Sequence, residues 1–103
     1  MNWKDILKAT KGAAKRFDWP VFEQAVADSI KPLDTFTITE IIPIVKTNYA
    51  SLLEDKGMRR YQAQEHSNVR VNKEMIGNMI KKIGSHKRKT PRKAHPYSHY
   101  VKR

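Results

Sequence analysis

The chain contains no cysteine, so it has no disulfide framework, no thiolate nucleophile and no Cys-ligated zinc site, and it must hold its shape by its core alone. Long apolar runs are missing as well. The longest, Ile41 to Val45, is interrupted by Pro43, far short of the ~20 residues that cross a bilayer. No apolar stretch with a small-residue cleavage site opens the sequence, so no secretory signal is expected and an intracellular location is the default. Glycine is sparse: Gly12, Gly57, Gly77 and Gly84 build neither a P-loop nor a dinucleotide fingerprint, and no serine sits in a nucleophile elbow.

Carboxylates are scarce in one half only. Residues 1–55 carry seven Lys/Arg and eight Asp/Glu, whereas residues 56–103 carry fourteen Lys/Arg against Glu65 and Glu74 alone. The net charge of +11 therefore belongs to the second half, and a surplus of that size points to a polyanionic partner. Two carboxylates there make a metal-dependent nuclease site hard to assemble. His95 and His99 are followed and separated by Pro96 in a strand-like segment, so their imidazoles do not converge on a metal. The expectation is a binding protein, not an enzyme, with no cofactor and no metal.

What is present is apolar periodicity. Residues 1–17 place Trp3, Ile6, Leu7, Ala14 and Phe17 at helical spacing, an amphipathic segment that packs on the domain or frays, and a candidate element for a homodimer. Asp18 caps a helix that tolerates Pro20 in its first turn, buries Phe22, Ala25, Val26 and Ile30, and stops before Pro32. Residues 34–37 favour a short strand. Either Thr37 or Thr39 can cap the next helix, and Pro43 favours Thr39, which brings the proline close to the first turn. Its stripe of Ile38, Ile41, Ile42, Val45, Tyr49, Leu52 and Leu53 is the strongest in the chain. Residues 54–70 lack a sustained apolar stripe and read as a loop with at most one helical turn.

Asn72 caps a third helix reaching Ile83, with Gly84 as the left-handed residue after it. Met75, Ile76, Met79, Ile80 and Ile83 share one side. At about 100° per residue the other side is centred on Glu74, Gly77, Asn78 and Lys81, with Lys73 and Lys82 at its edges. Residues 85–90 and 97–103 flank a proline-bounded turn and form a basic hairpin, whose lysines protect an exposed edge from aggregation. The fold class is therefore mainly α with a small β-hairpin (α+β), a three-helix core preceded by the N-terminal segment.

The order helix, short strand, helix, connection, helix ending in glycine and basic hairpin resembles the winged helix-turn-helix DNA-binding domain. The resemblance covers residues 18–103 and rests most on Asn72 to Val101. It implies that the third helix lies in the major groove and that the hairpin at 85–103, the wing, contacts backbone or minor groove. Two features depart from that pattern. Residues 54–71 make a connection far longer than the 3 to 4 residues of a strict helix-turn-helix, and Glu74 stands where it would repel phosphate. Glu74 can accept from a cytosine amino group or contact Asn78 on the helix surface, and the second is favoured.

The candidate nucleic-acid-binding residues are Lys73, Asn78, Lys81 and Lys82 on the helix, and Lys87, Arg88, Lys89, Arg92, Lys93, Lys102 and Arg103 in the wing. Phosphate contacts come from the cations. Base readout falls to Asn78, which suits adenine, and Lys81, which suits guanine, with Gly77 allowing close approach. Duplex DNA is the favoured partner. RNA in a ribonucleoprotein is the alternative, since Tyr97, His99 and Tyr100 lie among basic residues and can stack on unpaired bases, although the favoured reading of the two tyrosines packs one into the core under the wing and leaves the other exposed; a small phage or viral adaptor on a host protein is a third.

Overall fold

The structure, a computed structural model, describes residues 17–89 and 99–103. Helix α1 (Trp19–Ile30) starts as expected, with the extended Asp18 accepting from the Val21 N–H at 3.2 Å and Pro20 in the first turn. It buries Phe22, Ala25, Val26, Ser29 and Ile30. Strand β1 (Thr35–Thr37) runs straight into α2 (Ile38–Asp55), and the cap is Thr37, not Thr39. The Thr37 hydroxyl accepts from the Glu40 N–H and the Glu40 carboxylate accepts from the Thr37 N–H, each at 3.4 Å. This reciprocal box satisfies two helix-start donors and outweighs the proline; Pro43 stands exposed inside the helix.

The polar connection is helical. Residues Arg60–Arg70 form α3, separated by Val71 and Asn72 from α4 (Lys73–Ile83). Its buried stripe is Ala63, His66 and Ser67, small or polar residues that a search for large apolar side chains passes over. Ser67 donates to the Lys46 carbonyl at 2.7 Å, and His66 Nε2 lies 3.1 Å from the Tyr49 hydroxyl, which also accepts from the Asp18 N–H. Burial raises the Tyr49 hydroxyl above its ordinary range. Phe17 stacks on Tyr49 with ring centres 4.9 Å apart, closing an aromatic cluster over the α1, α2 and α3 contacts; residues 1–16, read as an amphipathic segment, lie outside the described residues.

Helix α4 has the expected bounds, with the Asn72 side chain accepting from the Met75 N–H at 3.0 Å and Gly84 left-handed at φ 79°. It buries Ile76, Met79 and Ile80 and packs against α1, α2 and the next strand, whereas α3 packs along α2. Strands β2 (His86–Arg88) and β3 (His99–Lys102) pair antiparallel, as the hairpin expectation requires. Strand β1 joins them on the far side of β3, making a three-stranded antiparallel sheet of order β1-β3-β2. The described residues thus form a mainly helical α+β fold.

Two buried contacts hold the sheet together and anchor it to the loop before β1. Phe36 and Tyr100, opposite each other in register, stack at 5.2 Å. His86, 2% exposed, lies 2.7 Å from the Leu33 carbonyl through Nε2 and 2.8 Å from the Ser85 hydroxyl through Nδ1. The carbonyl can only accept, so His86 Nε2 carries a proton and donates to it. That geometry ties the start of β2 to the loop before β1.

Candidate nucleic-acid interface

Helix α4 turns Glu74, Asn78 and Lys81 to solvent. At 1.5 Å of rise per residue the three span about 10 Å along the helix. None of them makes an ion pair with a described residue. Glu74 occupies the first turn, where its charge favours the helix N-terminus.

The edges of this face differ from expectation. Lys73 is only half-exposed, on the side that turns towards the core. Lys82 reaches away, its Nζ 2.8 Å from a Glu23 carboxylate oxygen on α1. Gly77 is not part of the open face either. A Cβ built on it would lie 3.6 Å from the Tyr100 hydroxyl and 3.7 Å from Ile38 Cδ1, so its side faces the packed border with the sheet, at ordinary van der Waals separation. The reason is angular: Gly77 lies about 60° around the helix from Glu74, far enough to reach the packed border.

Strand alternation divides the wing. Directly opposed residues share a face, so Arg88 lies with Tyr100 and Phe36 on the side facing the helices, while Lys87 lies with Val101 and Thr35 on the outer side. Lys89 extends the ladder by donating its N–H to the His99 carbonyl at 2.8 Å, which sets it on the outer side with His99 and Thr37. Lys87, Arg88 and Lys89 are all exposed, but they do not form one surface. Lys102 and Arg103 are exposed at the opposite end, their N–H groups held by the Asp34 and Ser85 carbonyls. Arg92 and Lys93, with Tyr97, His95 and the turn, lie outside the described residues.

Of the two tyrosines in this region, one of which the sequence places in the core, Tyr100 is the one that packs inward. Tyr100 packs against Phe36, 5% exposed, and its hydroxyl comes up beside Gly77. Burial raises the hydroxyl above its ordinary value and the Arg88 guanidinium opposes that shift, so at neutral pH it is a protonated donor. Only the period-two pattern through Val101 signalled its inward direction.

Among the described residues no group of three or more His, Asp or Glu side chains is placed to hold a metal ion, and no helix is long and apolar enough to cross a membrane. Set against protein-family models, curated proteins and solved structures, the chain has no match in any of the three.

Proposed function

We propose that this protein is a non-catalytic, intracellular DNA-binding protein of winged-helix type, a regulator or accessory factor. It contacts duplex DNA with the solvent face of α4 and with its basic wing. The observation that carries this reading is an open face bearing Asn78 and Lys81, uncommitted within the described fold, on the same domain as strands β2 and β3 with the exposed bases Lys87, Arg88, Lys89 and Lys102. A protein surface that only solvates itself spreads both signs of charge; one that meets phosphate concentrates the positive sign. The order of elements and the sheet built from β1 and the hairpin support the same reading, and the former long connection is filled by α3.

Within it, Asn78 and Lys81 face base edges, and Lys81, Lys87, Arg88, Lys89, Lys102 and Arg103 supply phosphate contacts, aided by Arg92 and Lys93. About six such contacts give a slope of log affinity against log salt of roughly −5. Fluorescence anisotropy with a labelled duplex and its single strand, at several salt concentrations, tests this. Salt-insensitive binding, or none, defeats the proposal, and tighter binding of single-stranded RNA would transfer the same cations to the ribonucleoprotein reading. Charge reversal at Lys87, Arg88 and Lys89 should weaken all duplexes alike, whereas Asn78→Ala should change sequence preference.

A further inference from the structure

Helices α2 and α3 pack along one another, and on one flank the seam between them stays open as a cleft of about 540 Å³. Its α2 wall is low because the residues there are small: Thr47, Ala50 and Ser51, with Pro43 at one end. Its α3 wall is a row of longer polar side chains, Arg60, Gln64 and Asn68, each exposed and each four residues after the last. At that spacing the three lie on one side of the helix, one turn above another. The bonds that hold α3 to α2 use other atoms. The Ser67 hydroxyl donates to the Lys46 carbonyl, and Lys46 Nζ donates to the Asn68 carbonyl.

These dimensions fit an extended polypeptide. At about 1.5 Å of rise per residue the polar heads recur every ~6 Å. A strand turns its N–H and C=O groups to one edge every second residue, at about 6.7 Å. Over the two steps from Arg60 to Asn68 the mismatch accumulates to only about 1.4 Å, which flexible side chains absorb. A carboxamide brings both donors and an acceptor, the set that an N–H and a C=O on one strand edge require. A small-molecule site would instead be lined mostly by apolar side chains.

The surroundings narrow the class of peptide. Glu54, the one carboxylate lining the cleft, is paired with Arg60 at 3.4 Å. Lys46 lies eight residues before Glu54 on α2, about 12 Å away along the helix, so its end of the cleft is positive. Two of the four exposed large apolar side chains of the described residues flank the same cleft. Ile44 shares a helix face with Thr47 and Ser51, and Tyr61 shares one with Gln64 and Asn68. They offer apolar contacts to alternate side chains of a bound strand.

We propose that the cleft between α2 and α3 binds an extended, acidic peptide segment of a partner protein, its backbone on the Gln64 and Asn68 carboxamides and a carboxylate at Lys46. The assignment does not depend on the duplex reading, since it uses neither α4 nor the wing.

A library of random heptapeptides displayed on phage and panned on the full chain tests it. Peptides enriched in Asp and Glu should emerge, and a selected peptide should shift the Gln64 and Asn68 side-chain amide signals in NMR. Gln64→Ala and Asn68→Ala should each weaken its binding about five-fold, the loss of one net hydrogen bond. Their thermal midpoints should stay at the wild-type value, because both residues are exposed and alanine is a good helix former. Lys46→Gln should weaken the same peptide and lower the salt dependence of its binding. No selected peptide, or peptides that bind both alanine variants as tightly as wild type, overturns the proposal. So do selected peptides that bind as helices. A short single-stranded RNA that moves the two amide signals where the peptides do not would give the cleft to nucleic acid and overturn it as well.

Discussion

Replacing Gly77 with alanine should make the protein more stable. Gly77 is the fifth residue of the eleven in α4, and glycine in a helix interior costs roughly 0.5 to 1 kcal/mol relative to alanine through lost unfolded-state entropy. The benefit is realised only if the new methyl fits. Its nearest neighbours would be the Tyr100 hydroxyl at 3.6 Å and Ile38 Cδ1 at 3.7 Å, both ordinary van der Waals separations, and Gly77 is not among the left-handed glycines, which are Gly57 and Gly84. The expected gain is about 0.5 to 1 kcal/mol, raising the midpoint by roughly 2 to 8 °C for a domain of this size. Urea and thermal unfolding followed by circular dichroism measure it, with an unchanged denaturant slope as the check that the two-state treatment holds. Net destabilisation refutes the packing described for the border of α4 and β3.

Two further substitutions probe the supports of this surface. Removing Asp18 should cost about 1 kcal/mol as alanine and much less as asparagine, which still caps α1; Lys56, with the Val21 N–H assisting, lowers the Asp18 carboxyl below its usual value against the opposing effect of burial. A depressed folded-state pKa gives stability that is fully present above the unfolded value near 4 and lost as pH falls through the folded one, so Asp18→Asn should flatten the acid limb of a stability–pH curve below about pH 4. His86→Phe should destabilise by about 1 to 3 kcal/mol, because it preserves an aromatic ring but strands the part-buried Leu33 carbonyl, and a denaturation midpoint equal to wild type would disprove that role.

The parts of the fold that were legible in the sequence are those in which local chemistry and tertiary packing agree. Asp18, Asn72 and Gly84 act at the ends of α1 and α4 as their side chains or backbone freedom dictate, and the apolar stripes of α1, α2 and α4 coincide with their buried faces. Helix α3 was illegible because its buried face consists of Ala63, His66 and Ser67, held by hydrogen bonds to residues 49 and 46 that no local pattern encodes. The cap at Thr37 was legible as an option only. Its choice over Thr39 follows from β1, which pairs with β3 more than sixty residues away and holds Thr37 extended. The candidate site divides the same way. Helical angles exposed Asn78 and Lys81 correctly, but Lys82 turned to Glu23 and Gly77 to Tyr100, partners set by how α4 docks on α1 and on the sheet.

The charge asymmetry gains a structural meaning from the ion pairs. Lys56 with Asp18, Arg60 with Glu54 and Lys82 with Glu23 each join a base of the second half to an acid of the first. Each pair is largely exposed at its basic end, so each contributes under about 1 kcal/mol and none can account for a surplus of cations on grounds of stability. What the pairs do is sort the bases. Those nearest the acidic helices are drawn into the fold, and Lys81, Lys87, Lys89, Lys102 and Arg103 are left without a carboxylate partner among the described residues. Self-repulsion among these cations disfavours the compact chain, a cost with no return inside the molecule. On the proposed duplex-binding reading, the return lies at the surface, where each phosphate met would release a counterion, and the bases that fail to stabilise the free fold would supply the affinity.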